Sequence, residues 1–245
     1  MIFAFAKCER LNELEEFILG SNQADIGSVG DRCYEAKLYE AGRILFTSIS
    51  NWAKLASCLV MLKRFTESLD AAKKANTPKT WKEVAFACVV FKEFKLAALA
   101  GLNIIIHPDH LEELIAHYER YGYYEELIQL LETGIAHERA HIGIFTELGV
   151  CYAKYKPEKL MDHCKSYNQR LNIPKLLRAC ERFKMWEEAV FLYIKYDEFD
   201  NAIITMMEHS PSAWNHELFT ANIQKAANQE LFYKAMLFYL EEQPM

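Results

Sequence analysis

Residues 65–72 read FTESLDAA, in which the large residue Phe65 is followed by Ser68, Leu69 and Ala72. The intervals of three, four and seven positions place these side chains on one face of an α-helix. The stretch therefore predicts a short amphipathic helix that opens with its largest side chain. We call that opening residue the anchor of its helix.

The same pattern recurs along the chain. Copies open at Leu38 (LYEAGRIL), Phe94 (FKLAALAG), Tyr124 (YEELIQLL), Trp186 (WEEAVFLY), Phe199 (FDNAIITM) and Phe232 (FYKAMLFY), with weaker copies at Leu11 and Pro157. Anchors at 11, 38, 65, 94, 124, 157 and 186 lie 27 to 33 residues apart, an interval that holds two short helices and two turns. Alternation typical of strands is absent from the sequence, and five of the six prolines lie where a new helix would start, a position that tolerates proline. The sequence predicts an all-α fold, an α-solenoid of about seven or eight stacked helix hairpins.

The anchors are expected to pack between consecutive repeats, because one short hairpin cannot cover its own apolar face. A small residue three positions later would let neighbouring helices approach closely. The residues expected to act as inter-repeat packing anchors are Leu38, Phe65, Phe94, Tyr124, Trp186, Phe199 and Phe232. A buried Trp186 replaced by alanine would cost about 3–5 kcal/mol, confined to the nearby repeats.

Residues 1–245 are expected to form a single solenoid segment, because the sequence contains no Gly/Ser linker, charge block or low-complexity run. The first residues, IFAFAKC, are apolar, and the last, FYLEEQPM, interrupt the repeat. Solenoids normally finish in repeats with a polar outer face. The pattern therefore indicates a segment uncapped at both ends, a fragment of a longer chain.

Composition narrows the functional classes. A net charge of −6 does not provide the excess of positive charge that nucleic-acid-binding proteins have. The seven cysteines contain no C-x-x-C pair and are expected to be buried thiols in a reducing compartment. No secretory signal or run of about 18 apolar residues is present, so a cytoplasmic location without membrane insertion is expected.

One stretch resembles a metal site. HERAH, residues 137–141, matches H-E-x-x-H, in which two histidines on one helical turn bind zinc and the glutamate activates water. A zinc metallohydrolase using His137, Glu138 and His141 is therefore an alternative function. The extended metzincin pattern is not continued, since Ile144 and Glu147 stand where glycine and histidine would, and no third ligand is marked. We favour a structural role for the stretch and expect no enzyme activity, no metal and no cofactor.

Longer stretches identify a family. TWKEVAFACV, DHLEELIAHYERYGYYEELIQLLE, ERAHIGIFTELGVCYAKYKPEK, NIPKLLRA and FDNAIITMMEH resemble the proximal leg of the clathrin heavy chain, and the likeness is colinear over nearly all of the chain. The resemblance implies the clathrin heavy-chain repeat fold and a scaffold role in the triskelion leg. It also implies coated-vesicle lattices, at coated pits and vesicles on the cytoplasmic side of the membrane, as the place of action. The implied partners are other heavy-chain legs and the clathrin light chain.

The resemblance also implies particular contact residues. A family lysine that contacts the light chain, in a Y-x-K-x-K-P stretch, corresponds to Lys154, whereas a second family lysine is replaced by Gln243. Two family histidines linked to assembly at mildly acid pH correspond to Asn103 and His107, so only His107 is kept as a candidate leg contact and pH switch. A vacuolar sorting or tethering subunit with the same repeat is the alternative in the interaction class, although it would not share these longer stretches.

Overall fold

The computed structural model describes residues 1–20, 23–138, 141–226 and 228–242. Within these ranges the chain forms seventeen α-helices and two 3₁₀ helices, and no strand. The helices gather into two compact units, residues 1–130 and 131–245. The predicted all-α fold class is confirmed.

The first unit contains nine helices and the beginning of a tenth. They are α1 (Ile2–Lys7), α2 (Leu11–Leu19), α3 (Ile26–Glu35), α4 (Tyr39–Ser48), α5 (Trp52–Met61), α6 (Phe65–Ala75), α7 (Pro78–Val90), α8 (Phe94–Ile104), α9 (Pro108–Tyr121) and α10 (Tyr124–Ile135). Within this unit α3 packs on α4, α5 on α6 and α7 on α8. Helix α7 also contacts α5 before it and α9 after it, so consecutive pairs are stacked.

The second unit contains the remaining helices. They are α11 (Gly143–Tyr155), α12 (Leu160–Tyr167), α13 (Ile173–Phe183), α14 (Trp186–Lys195), α15 (Phe199–Glu208), α16 (His216–Ile223) and α17 (Gln229–Glu242), with 3₁₀ helices at Pro157–Lys159 and Asn168–Arg170. Helix α14 packs on α13 and α15, and α11 and α15 also contact the helices two further along, α13 and α17. Each unit is therefore built by the stacking expected of an α-solenoid.

The predicted apolar face is the buried face. After Phe65, the side chains of Ser68, Leu69 and Ala72 are 0 to 3% exposed. The alanines three positions after other anchors are 0 to 2% exposed; they are Ala41, Ala97, Ala189, Ala202 and Ala235. Alanine at this position lets two helix backbones approach closely, which explains why the small residue recurs.

The anchors open their helices but are less buried than the stripe that follows them. Phe65 is buried, Leu38, Phe94, Trp186 and Phe199 are half-buried, and Tyr124 and Phe232 are 38% and 44% exposed. Two anchors contact rings of the neighbouring helix pair. The ring centroid of Phe65 lies 5.3 Å from that of Phe91, and that of Phe94 lies 4.9 Å from that of Tyr123. The energetic weight of the anchors in stacking stays a prediction.

Eight of the connections between helices share one turn. In each, a single residue has φ between 55° and 75°, and the following N–H donates to the carbonyl five residues earlier, as Arg64 does to Leu59 at 2.9 Å. This is the Schellman pattern, which satisfies carbonyls at the end of the first helix before the next begins. The left-handed residues are Glu9, Lys37, Ser50, Lys63, Lys92, Gly122, Lys184 and Asp197. Only one of these eight positions is the glycine that the left-handed conformation favours.

Prolines begin helices at most of the predicted joints. Pro78 and Pro108 are the first residues of α7 and α9, Pro157 begins a 3₁₀ helix, and Pro174 is the second residue of α13. The prediction of a helix start at Pro211 is wrong. Helix α16 begins at His216, because the Asn215 side chain accepts a hydrogen bond from the N–H of Leu218 at 3.0 Å and caps the helix there.

All seven cysteines are free thiols, and six of them are buried. The prediction of burial is wrong for Cys8, which is exposed because it ends α1 immediately before the left-handed Glu9. Burial raises the pKa of the Cys58 thiol to about 12 and that of Cys88 to about 11. None of the helices in the described part of the chain combines the length and hydropathy that a bilayer span requires.

Candidate partner-binding site

Lys154 lies in the last turn of α11, on the face opposite the core. The helix buries Ile144, Leu148, Cys151 and Tyr152, and the Lys154 side chain is exposed. Its Nζ lies 4.9 Å from the ring centroid of Tyr155. A lysine at this end of a helix is favoured by the partial negative charge of the terminal carbonyls. The sequence-predicted residue is therefore placed where a partner can reach it.

The surface next to Lys154 is organised by Glu132. Its Oε1 accepts hydrogen bonds from the Tyr152 hydroxyl at 2.8 Å and from Lys159 Nζ at 2.7 Å. Burial by itself would raise the pKa of Glu132, but these two hydrogen bonds and the charges of Lys159 and Lys156 outweigh it and lower that pKa. Lys159 is thus paired to a carboxylate of α10, which also fixes the Tyr152 ring beside the exposed end of α11.

His107 belongs to the first unit, at the residue before α9. Its backbone is extended and its side chain makes no cap hydrogen bond with the helix. The imidazole is half-buried, with its centroid 6.1 Å from that of His110 in an edge-to-face arrangement. His110 Nδ1 is buried without a hydrogen-bond partner. Asn103 is bound to its own helix, since its Nδ2 donates to the Leu99 carbonyl at 2.9 Å. The residue that accompanies His107 is therefore His110 on its own helix.

The HERAH stretch lies between helices α10 and α11. His137 and Glu138 are exposed in a turn, and Arg139 and Ala140 lie outside the described residues. The zinc pattern requires a helix that carries both histidines, but α11 begins only at Gly143, whose N–H donates to His141 Nδ1 at 3.1 Å. The two histidines therefore do not share a helical turn. Among the described residues no three His, Cys, Asp or Glu side chains are grouped so that they could hold a metal ion.

The turns add basic and aromatic groups that the sequence patterns did not single out. Lys37, Lys63 and Lys92 occupy the left-handed position of three turns in the first unit, and all three are exposed. Lys63 Nζ lies 5.1 Å from the ring centroid of Phe91. The available signal was a lysine one or two positions before the anchors Leu38, Phe65 and Phe94, which carries no meaning until the turn geometry is known.

Comparison with known proteins identifies the family. A family model described as a region in clathrin and VPS matches residues 1–96 and 102–245. The chain is 57% identical over 244 residues to clathrin heavy chain 2 of Oryza sativa, 55% identical over 245 residues to the clathrin heavy chain of Dictyostelium discoideum, and 51% identical over 245 residues to clathrin heavy chain 2 of Homo sapiens. All of this chain is covered in each case.

The same alignments cover only a part of each relative. The chain spans 14% of the rice and Dictyostelium proteins and 15% of the human protein. The stacked helix pairs of both units agree with the repeat that the family model describes. The chain therefore belongs to the clathrin family and corresponds over its whole length to a segment of the clathrin heavy chain.

Proposed function

We propose that this chain is a structural scaffold segment of a clathrin triskelion leg, which supports the lattice of coated vesicles at the cytoplasmic face of the membrane. Its partners in this role are other heavy-chain legs and a clathrin light chain. The observation that carries the proposal is the match to clathrin heavy chains over the full length of the chain. Nothing in the described residues favours the vacuolar sorting or zinc hydrolase alternatives.

The repeated packing supports a mechanical role. The anchored helices bury one face against their neighbours, and eight short turns are closed by backbone hydrogen bonds. In such a chain each repeat is held mainly by the repeats beside it. The segment would therefore act by keeping its folded shape.

The scaffold role is tested in the full heavy chain with Ala202→Arg, which forces a charge into a fully buried position of α15. Burial of an unpaired charge is expected to unfold this repeat. The variant should still form trimers but yield little sedimentable lattice, whereas Glu187→Gln, an exposed change on α14, should assemble normally. Normal lattice from a chain whose repeat is shown by proteolysis to be unfolded would overturn the proposal.

The light-chain role is supported by exposed basic and aromatic groups. Lys154 lies beside Tyr155 at the end of α11, and exposed lysines recur at turns of the first unit, where Lys63 lies over the Phe91 ring. An acidic helix would find charge and apolar surface in both places. Gln243, at the second family lysine, lies outside the described residues.

The test of Lys154 is a pull-down of the light chain by the heavy chain, with Lys154→Glu compared with Lys165→Glu. Both lysines are exposed in the second unit, so the charge change is matched. Exchange of an attraction for a repulsion at a surface contact is expected to weaken binding about tenfold at low salt, with a smaller effect as salt is raised. Equal binding by both variants would remove Lys154 from the interface.

His107 is proposed as a pH-sensitive leg contact that acts together with His110. Asp109 lies between the two histidines in the first turn of α9, and Glu113 on the same helix accepts a hydrogen bond from Lys82 Nζ at 2.5 Å. His117 also lies on this helix. Protonation of an imidazole here places a new charge beside the start of α9. A neighbouring leg that offers a carboxylate would be bound more tightly in the protonated state.

A further inference from the structure

A groove in the second unit has no part in the proposal above. It has a volume of about 320 Å³ and is formed by the end of α13 and the facing sides of α14 and α15. The residues that give it its chemistry are Glu181, Trp186, Tyr193, Asn201, Glu208 and His209. Among the described residues that line it there is no lysine or arginine.

One side of the groove is a flat aromatic surface. The rings of Trp186 and His209 are stacked, with centroids 3.5 Å apart and planes 6° from parallel. Both side chains are half-buried, so the pair is held by its surroundings and still reaches the groove. A planar cation binds favourably to such a surface through cation–π attraction and stacking.

The remaining polar groups of the groove are chiefly hydrogen-bond acceptors. Glu181 accepts one hydrogen bond, from the Tyr193 hydroxyl at 2.7 Å, and a carboxylate has about four lone-pair sites. One N–H of the Asn201 amide donates to Glu198, and its side-chain carbonyl oxygen is an acceptor. Glu208, on the last turn of α15, adds a second, exposed carboxylate. The lining therefore combines two carboxylates with no lysine or arginine, and its side-chain N–H donors are confined to Trp186, Asn201 and His209.

We propose that this groove binds an arginine side chain presented by a partner protein. A guanidinium supplies five N–H donors in one plane, matches carboxylates in pairs and stacks on aromatic rings, whereas a lysine ammonium offers a single compact charge. The volume exceeds that of one side chain, so residues flanking the arginine are accommodated as well. The site recognises a basic segment, a different chemistry from the acidic partner expected at Lys154.

The probe for this site is the peptide acetyl-Gly-Arg-Gly-amide, whose only charge is the guanidinium. Its binding to the full chain is followed by the indole N–H signals in two-dimensional NMR, of which there are four because the chain has four tryptophans. The Trp186 signal is assigned from its absence in Trp186→Phe, or through sequential backbone assignment if that variant does not fold. Two control peptides carry lysine or glutamine in place of the arginine. A saturable shift of the Trp186 signal is expected with the arginine peptide. The lysine peptide should bind with lower affinity, and the glutamine peptide should cause no shift.

Variants then separate a specific site from general charge attraction. Glu181→Gln and Glu208→Gln are each expected to weaken the arginine peptide about two- to fivefold, the range for partly exposed ion pairs, and the double variant about tenfold. Glu187→Gln removes the same charge from α14 outside the groove and should leave affinity within twofold. The proposal is overturned if the glutamine peptide shifts Trp186 equally, if Glu187→Gln weakens binding as much, or if no saturable shift occurs. Equal affinity for lysine would overturn the choice of arginine.

Discussion

Gly122 is the one glycine among the eight left-handed turn positions, and replacing it isolates the energy of the turn. Its φ is +75°, and a Cβ built at this position meets no heavy atom within 4 Å. The substitution Gly122→Ala therefore introduces no clash, and its effect comes from the backbone. A left-handed conformation costs a non-glycine residue about 1–2 kcal/mol. With alanine the unfolded chain has less conformational entropy than with glycine, which offsets about 0.4–1 kcal/mol of that cost. The net loss in the free energy of unfolding is therefore about 1 kcal/mol.

Gly27→Ala is the matched control, because it is the same chemical change in the same unit with the opposite expected sign. Gly27 is the second residue of α3, and its added Cβ would be 3.5 Å from Asp25 Oδ1 and 3.8 Å from Ile49 Cδ1, both ordinary contacts. Alanine is the better helix former, so this variant should gain about 0.5 kcal/mol.

The assay is urea unfolding followed by circular dichroism, with amide exchange as the local measurement. In Gly122→Ala the Tyr123 N–H, which donates to the Tyr118 carbonyl at 3.1 Å, should exchange about fivefold faster, the rate equivalent of about 1 kcal/mol. Exchange in the distant helices α14 to α17 should be unchanged, since solenoid repeats are coupled to their neighbours. The turn argument is refuted if both glycine variants change stability by the same amount in the same direction.

Three further predictions concern the side chains discussed above. Trp186→Ala should cost about 2 kcal/mol in urea unfolding, less than for a buried tryptophan, because the ring is half-buried against His209; a loss above about 4 kcal/mol would contradict this. Glu132→Gln should lower stability near neutral pH and lose its effect in acid. The native pKa of Glu132 lies below its ordinary 4.5, so its contribution is present above 4.5 and disappears as pH falls through the native value; a pH-independent difference would refute it. His107→Gln in the full heavy chain should shift the pH midpoint of lattice assembly, measured by sedimentation, while the exposed control His137→Gln should not; superimposable curves would exclude His107.

The burial of the repeat could be predicted because helical periodicity is local. A large residue followed by small or apolar ones at fixed intervals defines one face whatever the neighbours are, and burial of Ala97, Ala189 and Ala202 follows from it. The anchors were harder to predict. Tyr124 and Phe232 have the size of core residues, yet their exposure depends on how far the next helix covers the start of their own.

The turns show where local rules were insufficient. Lysine at 37, 63, 92 and 184 gives no left-handed signal, because that conformation is unfavourable for it and is imposed by the two helices that the turn must join. The HERAH stretch is the opposite case, because its local pattern predicts an arrangement that the structure does not contain. Its spacing would bring two histidines together on a helix, but the chain uses the region to leave α10 and to start α11 at Gly143.

The candidate sites divide in the same way. Lys154 is a candidate through the family resemblance of its stretch, and its exposure follows from the helical phase of α11. The groove beside Trp186 joins residues of three helices separated by up to 28 positions, so no local pattern marks it.

The order of residues determined the helices and their buried stripes, because these depend on intervals of a few positions, and it determined the family through long colinear stretches. The tertiary structure decided which large side chains are covered, which residues take the left-handed turns and which polar groups meet across helices. Those outcomes depend on the distance and angle between elements that are far apart in the chain, and packing alone fixes them.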